Sequence, residues 1–241
     1  RGLFYCFGCQ TGGDTITFLQ LIENLTFVEA VQRLADRTGV QLRIIDDGTP
    51  STPPGMRTQI LAANDAAAEF FRRQMLSDEG AIARDFVTGR GFTREHAEYF
   101  GMGYAPKGGD VLRDHLLAQG FTPQVLVTAG LVRDSGWDFF QGRVLWPIKD
   151  SAASVLGFGA RRVWDDDRMP AKYVNTPETP VYKKSHVLYG LDLARTNIGR
   201  KNQVVVVEGY TDVMAMHVAG IDTAVASCGT AFGPEHAHLV H

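Results

Sequence analysis

The 241 residues predict an α/β protein in which an α+β N-terminal half leads into a parallel sheet. Three observations carry that reading. The first is Val204-Val205-Val206-Val207, four β-branched residues after the polar Arg200-Lys201-Asn202-Gln203, which reads as a strand buried on both faces, as parallel strands are. Glu208 stands where the run stops, Gly209 follows, and Asp212 opens an apolar helical pattern (Val213, Met214, Met216, His217) as its expected N-cap. The second is residues 223–226, which lead through Ser227-Cys228-Gly229-Thr230-Ala231 to a helix begun by Pro234 and Glu235. Two successive strand–turn–helix units predict neighbouring parallel strands whose loops open onto one crevice. Ligands of open α/β sheets bind outside the carboxyl ends of the strands, so Glu208 and the bare backbone of Gly209 lie where chemistry is expected. Alone, the stretch serves equally well as a strand-end acid capping the next helix. The third is the switch upstream from helical to strand periodicity near residue 139.

Composition narrows the class. At 44% hydrophobic the chain is long enough for one sizeable core or two smaller ones. No run approaches a membrane span, and no signal peptide is read. Three cysteines form no even disulfide framework and fit a reducing cytosol or a metal site. A net charge of −3 argues only weakly against nucleic acid as a ligand, because an average hides a local basic face. The start at Arg1 and the stop at His241 in an expected helix read as cut ends.

Taken in order, Tyr5-Cys6-Phe7-Gly8-Cys9 is a C-x-x-C knuckle among aromatics. A structural zinc site usually takes two such pairs, so Cys6 and Cys9 read as the second half of a zinc ribbon. A redox pair fits less well, since no buried strand precedes it and Gly12-Gly13 follow. Residues 14–24 and 26–38 read as helices. The second has a capping box, Thr26-x-x-Glu29, with Phe27, Val28, Val31, Leu34 and Ala35 on its apolar face and Gly39 as its stop. Residues 46–55, rich in Pro, Gly, Ser and Thr, read as a linker. The expected division is therefore 1–45, a linker over 46–56, a basic α+β part over 57–200, and a parallel unit over 201–241.

Residues 57–77 are alanine-rich with helical period, followed by short helices at 81–88, 93–100, 110–119 and 122–129. Phe100-Gly101-Met102-Gly103-Tyr104-Ala105-Pro106 reads as a turn with an aromatic plug. Residues 139–148 and 155–163 read as paired strands, and glycines at the alternate positions 157 and 159 let a backbone or ligand come close. From Gly142 to Lys184 there are eight Lys and Arg against five Asp and Glu, an excess of +3 in a negative chain. Interleaved with Phe158, Tyr173 and Tyr182, these cations have the composition of a single-strand track, although a solvated hairpin face is the commoner origin of such a patch.

V-V-V-V-E-G-Y-T-D-V followed by A-S-C-G-T-A resembles the first two conserved segments of the TOPRIM fold as found in bacterial DnaG-type DNA primases. The rest of the chain follows the same family order. G-L-F-Y-C-F-G-C is similar to the end of the primase zinc-binding domain, residues 100–106 to F-x-L-G-Y-A-P, and residues 142–190 to the primase signatures around G-F-G-G-R and K-Y-x-N-S-P-E-T. Trp146 in place of phenylalanine and Gly159-Ala160-Arg161 in place of Gly-Gly-Arg depart from the pattern.

The resemblance implies template-directed synthesis of short RNA primers on single-stranded DNA by two-metal nucleotidyl transfer. Mg²⁺ (or Mn²⁺) would be the catalytic metal, and Zn²⁺ would sit in the complete zinc-binding domain. It implies Glu208 as the metal-associated or acid/base glutamate, with Asp212 lining the same site. Arg143 and Arg161 would hold template or primer phosphates, Lys172 and Asn175 would lie nearer the triphosphate, and Lys184 would belong to the same patch. The family's D-x-D would follow beyond His241, so these 241 residues alone are expected to be inactive and to bind zinc poorly. Implied partners are single-stranded DNA, NTPs, the RNA primer and the replicative helicase, the last through a region outside this chain, in the cytoplasm at the replication fork. The competing readings are a DNA-binding module of this fold without catalysis, another TOPRIM enzyme such as a topoisomerase or nuclease, and a zinc-ribbon interaction protein.

Overall fold

The computed structural model describes residues 2–8, 11–23, 25, 27–42, 55–167 and 169–240. Cys9, Thr26 with its expected capping box, the side chain of Val28 and the expected linker over 46–54 lie outside the described residues. The elements run β1 (Leu3–Tyr5), β2 (Gly12–Asp14), α1 (Thr15–Glu23), α2 (Phe27–Thr38), α3 (Met56–Gln74), α4 (Ala81–Gly89) and α5 (Arg94–Tyr99). They continue through β3 (Gly103–Ala105), α6 (Val111–Ala118), α7 (Pro123–Thr128), β4 (Arg143–Lys149), β5 (Val155–Arg162) and β6 (Tyr173–Asn175). After a 3₁₀ turn (Lys184–His186) come α8 (Leu191–Lys201), β7 (Val205–Val207), α9 (Tyr210–Val218), β8 (Ala224–Ala226) and α10 (Pro234–Val240). Mixed α/β is thus the observed class. No helix among the described residues is long and apolar enough to cross a membrane.

The long α3 sets the core. Ile60, Ala63, Ala67, Phe70 and Phe71 recur at three- and four-residue spacing and are all buried, so one face of the helix lies against the sheet β3-β4-β5-β6. Asn64, on the same face and fully buried, donates from Nδ2 to the carbonyls of Val155 (3.1 Å) and Leu156 (2.9 Å), at the end of the β4–β5 ladder where the register shifts. The side chain satisfies acceptors next to the irregularity, as burial requires.

Pro147 sits in the central strand β4 without disrupting it. Its partner Phe158 turns its own N–H and C=O towards Thr176 on the β6 side, so Pro147 and Phe158 form a non-hydrogen-bonded pair. The missing N–H of Pro147 therefore points to the β3 side, where the ladder has already ended at Leu145.

Two expectations about strands change. The segment around Tyr104 is not only a turn, because Gly103–Ala105 pairs with Arg143–Leu145 as β3. The strand expected from Phe139 begins at Arg143, since Gly142 at φ +60° turns the chain just before it.

β7 and β8 pair in parallel, Val205 to Ala224 through Val207 to Ala226, as the two strand–turn–helix units require. Burial divides unevenly between them. β8 is fully buried, with β7 on one side and Tyr189 bridging Ala226 on the other (N to O 2.8 and 3.1 Å). β7 is partly open, with Val206 41% exposed, so the expectation that this strand is buried on both faces is corrected.

One continuous core joins this parallel unit to the antiparallel sheet. At its centre the ring of Tyr210, the first residue of α9, stacks on Trp146 of β4 at 5.0 Å and 9°. It also meets Tyr189 edge-on at 4.8 Å. Trp146 donates its indole N–H to Met214 Sδ at 3.2 Å. A Cβ at position 159 would fall on the Tyr210 phenol, which is the close approach that the alternate glycines of β5 foretell. The N-terminal helices attach elsewhere, through buried Arg33. Its guanidinium reaches Glu23 (3.3 Å) and Asp150 (3.0 Å) in the β4–β5 turn, while Lys183 pairs with Glu29 of α2 at 3.5 Å.

Gly159→Ala is expected to lower stability by about 1–3 kcal/mol through overpacking, a fall in Tm of roughly 2–12 °C for a chain of this size. A thermal melt unchanged from the parent would mean that Tyr210 is not wedged against β5.

Candidate functional site

Two cavities lie on either side of the contact between Arg161 and Tyr173. The first, of about 670 Å³, is lined by Glu208, Asp212, Lys184, Asn175, Tyr173 and the Cys228-Gly229 turn. Parallel pairing produces it, since β7 and β8 end side by side and their loops leave from the same edge. Glu208 follows the last residue of β7, is exposed, and makes no hydrogen bond or ion pair with any described residue. Asp212 is the third residue of α9 and not its N-cap, a correction to the sequence expectation: the cap is Gly209, whose N–H donates to the Asp212 carboxylate at 3.1 Å. Acceptance of that donor holds Asp212 beside Glu208 at the positive end of a helix.

Asn175, on β6, serves the opposite wall. Its Oδ1 accepts from the Tyr210 hydroxyl at 2.7 Å, and its Nδ2 donates to the Cys228 carbonyl at 2.6 Å. It thereby ties the antiparallel sheet to both loops of the parallel unit. Burial raises the Tyr210 hydroxyl well above its ordinary pKa and pushes the Cys228 thiol up to about 12, so both remain neutral. Cys228 takes a positive φ of 49° in the turn that Asn175 holds. Lys184 lines the cavity from the 3₁₀ turn.

The second cavity, about 470 Å³, is a shallow trough with Arg161, Arg162, Lys172, Trp164 and Phe86 in its walls. Arg161 projects from β5 over the Phe86 ring at 4.5 Å and lies 5.8 Å from the Tyr173 ring. Burial among these rings lowers its pKa, a direction that leaves a guanidinium charged at any working pH. Tyr173, 40% exposed, lines the acidic cleft 6.4 Å from Tyr210, and its ring lies 5.8 Å from Arg161 of the trough. Arg90 escaped the sequence reading. Four residues after Phe86 on the helical face, it covers the same ring at 5.2 Å, so two guanidinium groups flank one phenyl. The i, i+4 Phe–Arg spacing was visible in the chain, but nothing local tied it to a strand seventy residues on. A further cavity of about 630 Å³ adjoins at Phe139, where Arg133 lies over the Phe139 ring (4.8 Å) and Lys107 over Trp164 (4.4 Å) beside exposed Trp137.

The basic patch is thinner than its composition suggested. Arg143 is wholly buried: Nε pairs with Asp167 at 2.8 Å and Nη2 donates to the carbonyls of Met169 and Ala171, both at 3.0 Å. This corrects its expected place on a phosphate-facing surface, for its charge is committed to Asp167 and to the carbonyls of Met169 and Ala171. Phe158 and Tyr182 are likewise core residues, which leaves Tyr173 as the exposed aromatic of the three. Lys149 and Lys183 face Asp192 (4.0 Å) and Glu29 (3.5 Å). Arg161, Arg162, Lys172 and Lys184 remain around the cleft. Cys6 is a free, exposed thiol. No group of three metal-ligating side chains occurs among the described residues.

Comparison with known proteins gives the family and the fold. A family model for the DNA primase catalytic core, N-terminal domain, matches residues 70–195; a CHC2 zinc finger model matches 1–49 and a Toprim domain model 202–241. A DNA primase of Mycolicibacterium smegmatis is 52% identical over 100% of this chain, and one of Mycobacterium tuberculosis 54% over 98%. The chain spans 38% of the length of each of these relatives. The crystal structure of the RNA polymerase domain of Mycobacterium tuberculosis primase DnaG superposes with a TM-score of 0.75 at 56% identity, covering 76% of this chain and 60% of that one. The Aquifex aeolicus primase structure, with zinc-binding and RNA polymerase domains, gives 0.68 at 34% identity over 98% of this chain and 56% of that one. A DnaG primase catalytic domain solved bound to single-stranded DNA gives 0.69 at 35%, covering 77% and 58%.

Asp167→Ala strands the Arg143 charge in the interior and is expected to cost roughly 3–5 kcal/mol, read as a lower urea midpoint. Arg161→Ala, at the trough wall, should shift the midpoint far less. Equal shifts would refute the division between structural and surface arginines.

Proposed function

The chain belongs to the DNA primase catalytic core family, and from that premise we propose that it forms the part of a template-directed RNA polymerase that grips single-stranded DNA and positions an NTP against a primer 3′-hydroxyl. One observation carries the reading: Glu208 and Asp212 open onto the same cleft as Lys184, and Tyr173 joins that cleft to the cationic trough of Arg161 and Lys172.

Nucleotidyl transfer builds negative charge on a phosphate, and the protein's contribution is positioning and neutralisation. Arg161, with Arg162 and Lys172, supplies forked and point charges for the template and primer backbone. Arg90, over the same Phe86 ring, extends that surface. Tyr173 offers a face on which a base stacks, the sequence-tolerant way to hold a single strand. Lys184 faces the triphosphate, and Asn175 holds the floor of the cleft through Tyr210 and Cys228. The trough leads the strand past Tyr173 towards Glu208.

Glu208 and Asp212 fit a magnesium ion: both are hard oxygen donors, and Glu208 is exposed and unengaged by protein. Bound Mg²⁺ would neutralise charge on the reacting phosphates. Of the expected zinc ligands, Cys6 is accessible and reduced, as thiolate ligation needs, and Cys9 lies outside the described residues. We assign zinc, in a structural role, to the ribbon that the CHC2 match covers. NTPs, the RNA primer and the replicative helicase complete the set of partners, and the work is done in the cytoplasm at the fork. The boundaries 1–45, 57–200 and 201–241 remain our division of the chain, with 46–56 as linker.

Glu208→Gln in the complete protein is expected to reduce primer synthesis by at least 100-fold, about 2.7 kcal/mol of transition-state stabilisation, with single-stranded DNA affinity within twofold of the parent. Normal synthesis by that variant would end the assignment. Arg161→Ala and Lys172→Ala should each weaken single-stranded DNA binding and flatten its salt dependence by about one unit of log–log slope. Slopes matching the parent would remove the trough from the DNA path.

A further inference from the structure

Lys184 is a flexible side chain on a short turn, yet both polar groups of its own peptide are held. Its N–H donates to the Glu178 carboxylate at 2.9 Å, and its carbonyl faces His236 Nε2 at 3.2 Å. His236 belongs to α10 and is 2% exposed. Its other ring nitrogen, Nδ1, accepts the N–H of Gly233 at 3.1 Å. Acceptance at Nδ1 places the ring proton on Nε2, so His236 donates to Lys184. Phe232 stacks on the imidazole at 5.6 Å and 25°, which fixes the ring plane. One imidazole therefore links the start of the helix after β8 to the backbone of a cleft lysine fifty-two residues earlier.

We infer that His236, with Glu178 as the opposing anchor, is a positioning residue that sets where the Lys184 ammonium stands in the cleft and so tunes affinity for the triphosphate of an incoming NTP. The inference rests on the reading of Lys184 as NTP-facing. Neither anchor lines the cleft, so neither touches the nucleotide. A lysine stem has many rotamers, and its head is placed only as well as its Cα is placed. A clamp on the peptide reduces the volume the ammonium searches before it meets a phosphate. Sequence reading gave no hint of it, because His236 lies in a seven-residue helix and its partner in a turn.

The test separates the two hydrogen bonds of the ring. In the complete protein, His236→Asn retains an acceptor for the Gly233 N–H but is too short to reach Lys184, whereas His236→Gln restores a donor at the Nε2 position. His236→Asn and, independently, the exposed Glu178→Ala are each expected to raise the KM for NTP by roughly two- to tenfold, the range one hydrogen bond commands. The kcat should stay within twofold and Tm within about 2 °C, and His236→Gln should return KM close to the parent value. Repeated in a Lys184→Ala background, both substitutions should lose their effect on KM. Persistence of the effect there, or a fall in kcat with KM unchanged, overturns the positioning role. If His236→Asn melts early, Glu178→Ala and its cycle with Lys184→Ala decide alone, and a silent Glu178→Ala then counts against the clamp. If Lys184→Ala itself leaves NTP KM unchanged, the NTP-facing reading of Lys184 fails first and the inference falls with it.

Discussion

The stacked pair of Trp146 and Tyr210 is the contact on which the rest of the architecture depends. The antiparallel sheet and the parallel pair share no strand ladder. What locates one against the other is a buried aromatic column, Tyr189–Tyr210–Trp146, with Gly159 cleared to admit it. Aromatic stacking adds about 0.5–1.5 kcal/mol beyond area burial, but its larger contribution here is angular. Tyr210 is two residues after Glu208, so the ring that fixes the docking angle also fixes the direction in which the acid leaves the sheet. Asn175 then fastens the phenol to the loop after β8. Trp146, a departure from the family's usual phenylalanine, supplies an indole N–H that phenylalanine lacks, and Met214 accepts it.

Charge is allotted by depth. Within one stretch of basic composition, Arg143 is internal and paired, Lys149 and Lys183 face acids of other elements, and Arg161, Arg162, Lys172 and Lys184 border the cavities. The run Asp165-Asp166-Asp167 shows the same sorting, since Asp167 goes inward to Arg143 and Asp166 outward to Lys107 at 2.7 Å. A guanidinium among aromatic rings keeps its charge while losing water, as Arg161 does between Phe86 and Tyr173.

Much of this was legible in the chain. Four β-branched residues ending in an acid marked β7 and Glu208, and the repeat of strand, glycine turn and helix marked the parallel pair. The alternate glycines of β5 announced a close approach, though not that Tyr210 would occupy it. Illegible were properties that depend on distant partners. Nothing in G-R-V-L-W tells that Arg143 points inward, because its counter-ion lies twenty-four residues on. Strand alternation by itself leaves open which side of β5 faces water, so Phe158 could be read as a surface aromatic. The half-exposure of β7 reflects its place at the margin of a two-stranded pair, a fact of sheet order and not of side-chain type. Arg90 and His236 act through contacts with remote segments and carry no local signature.

Lys183 and Lys184 show what a doublet of identical residues achieves in extended backbone. Lys183 has φ −122° and ψ 119°, so neighbouring side chains diverge: one meets Glu29 on α2, the next enters the acidic cleft. A single peptide unit thus separates the N-terminal helices from the cation opposite Glu208. Because the N–H of their common peptide is held by the Glu178 carboxylate at 2.9 Å, the two arms of the doublet share one fixed pivot while serving different parts of the molecule.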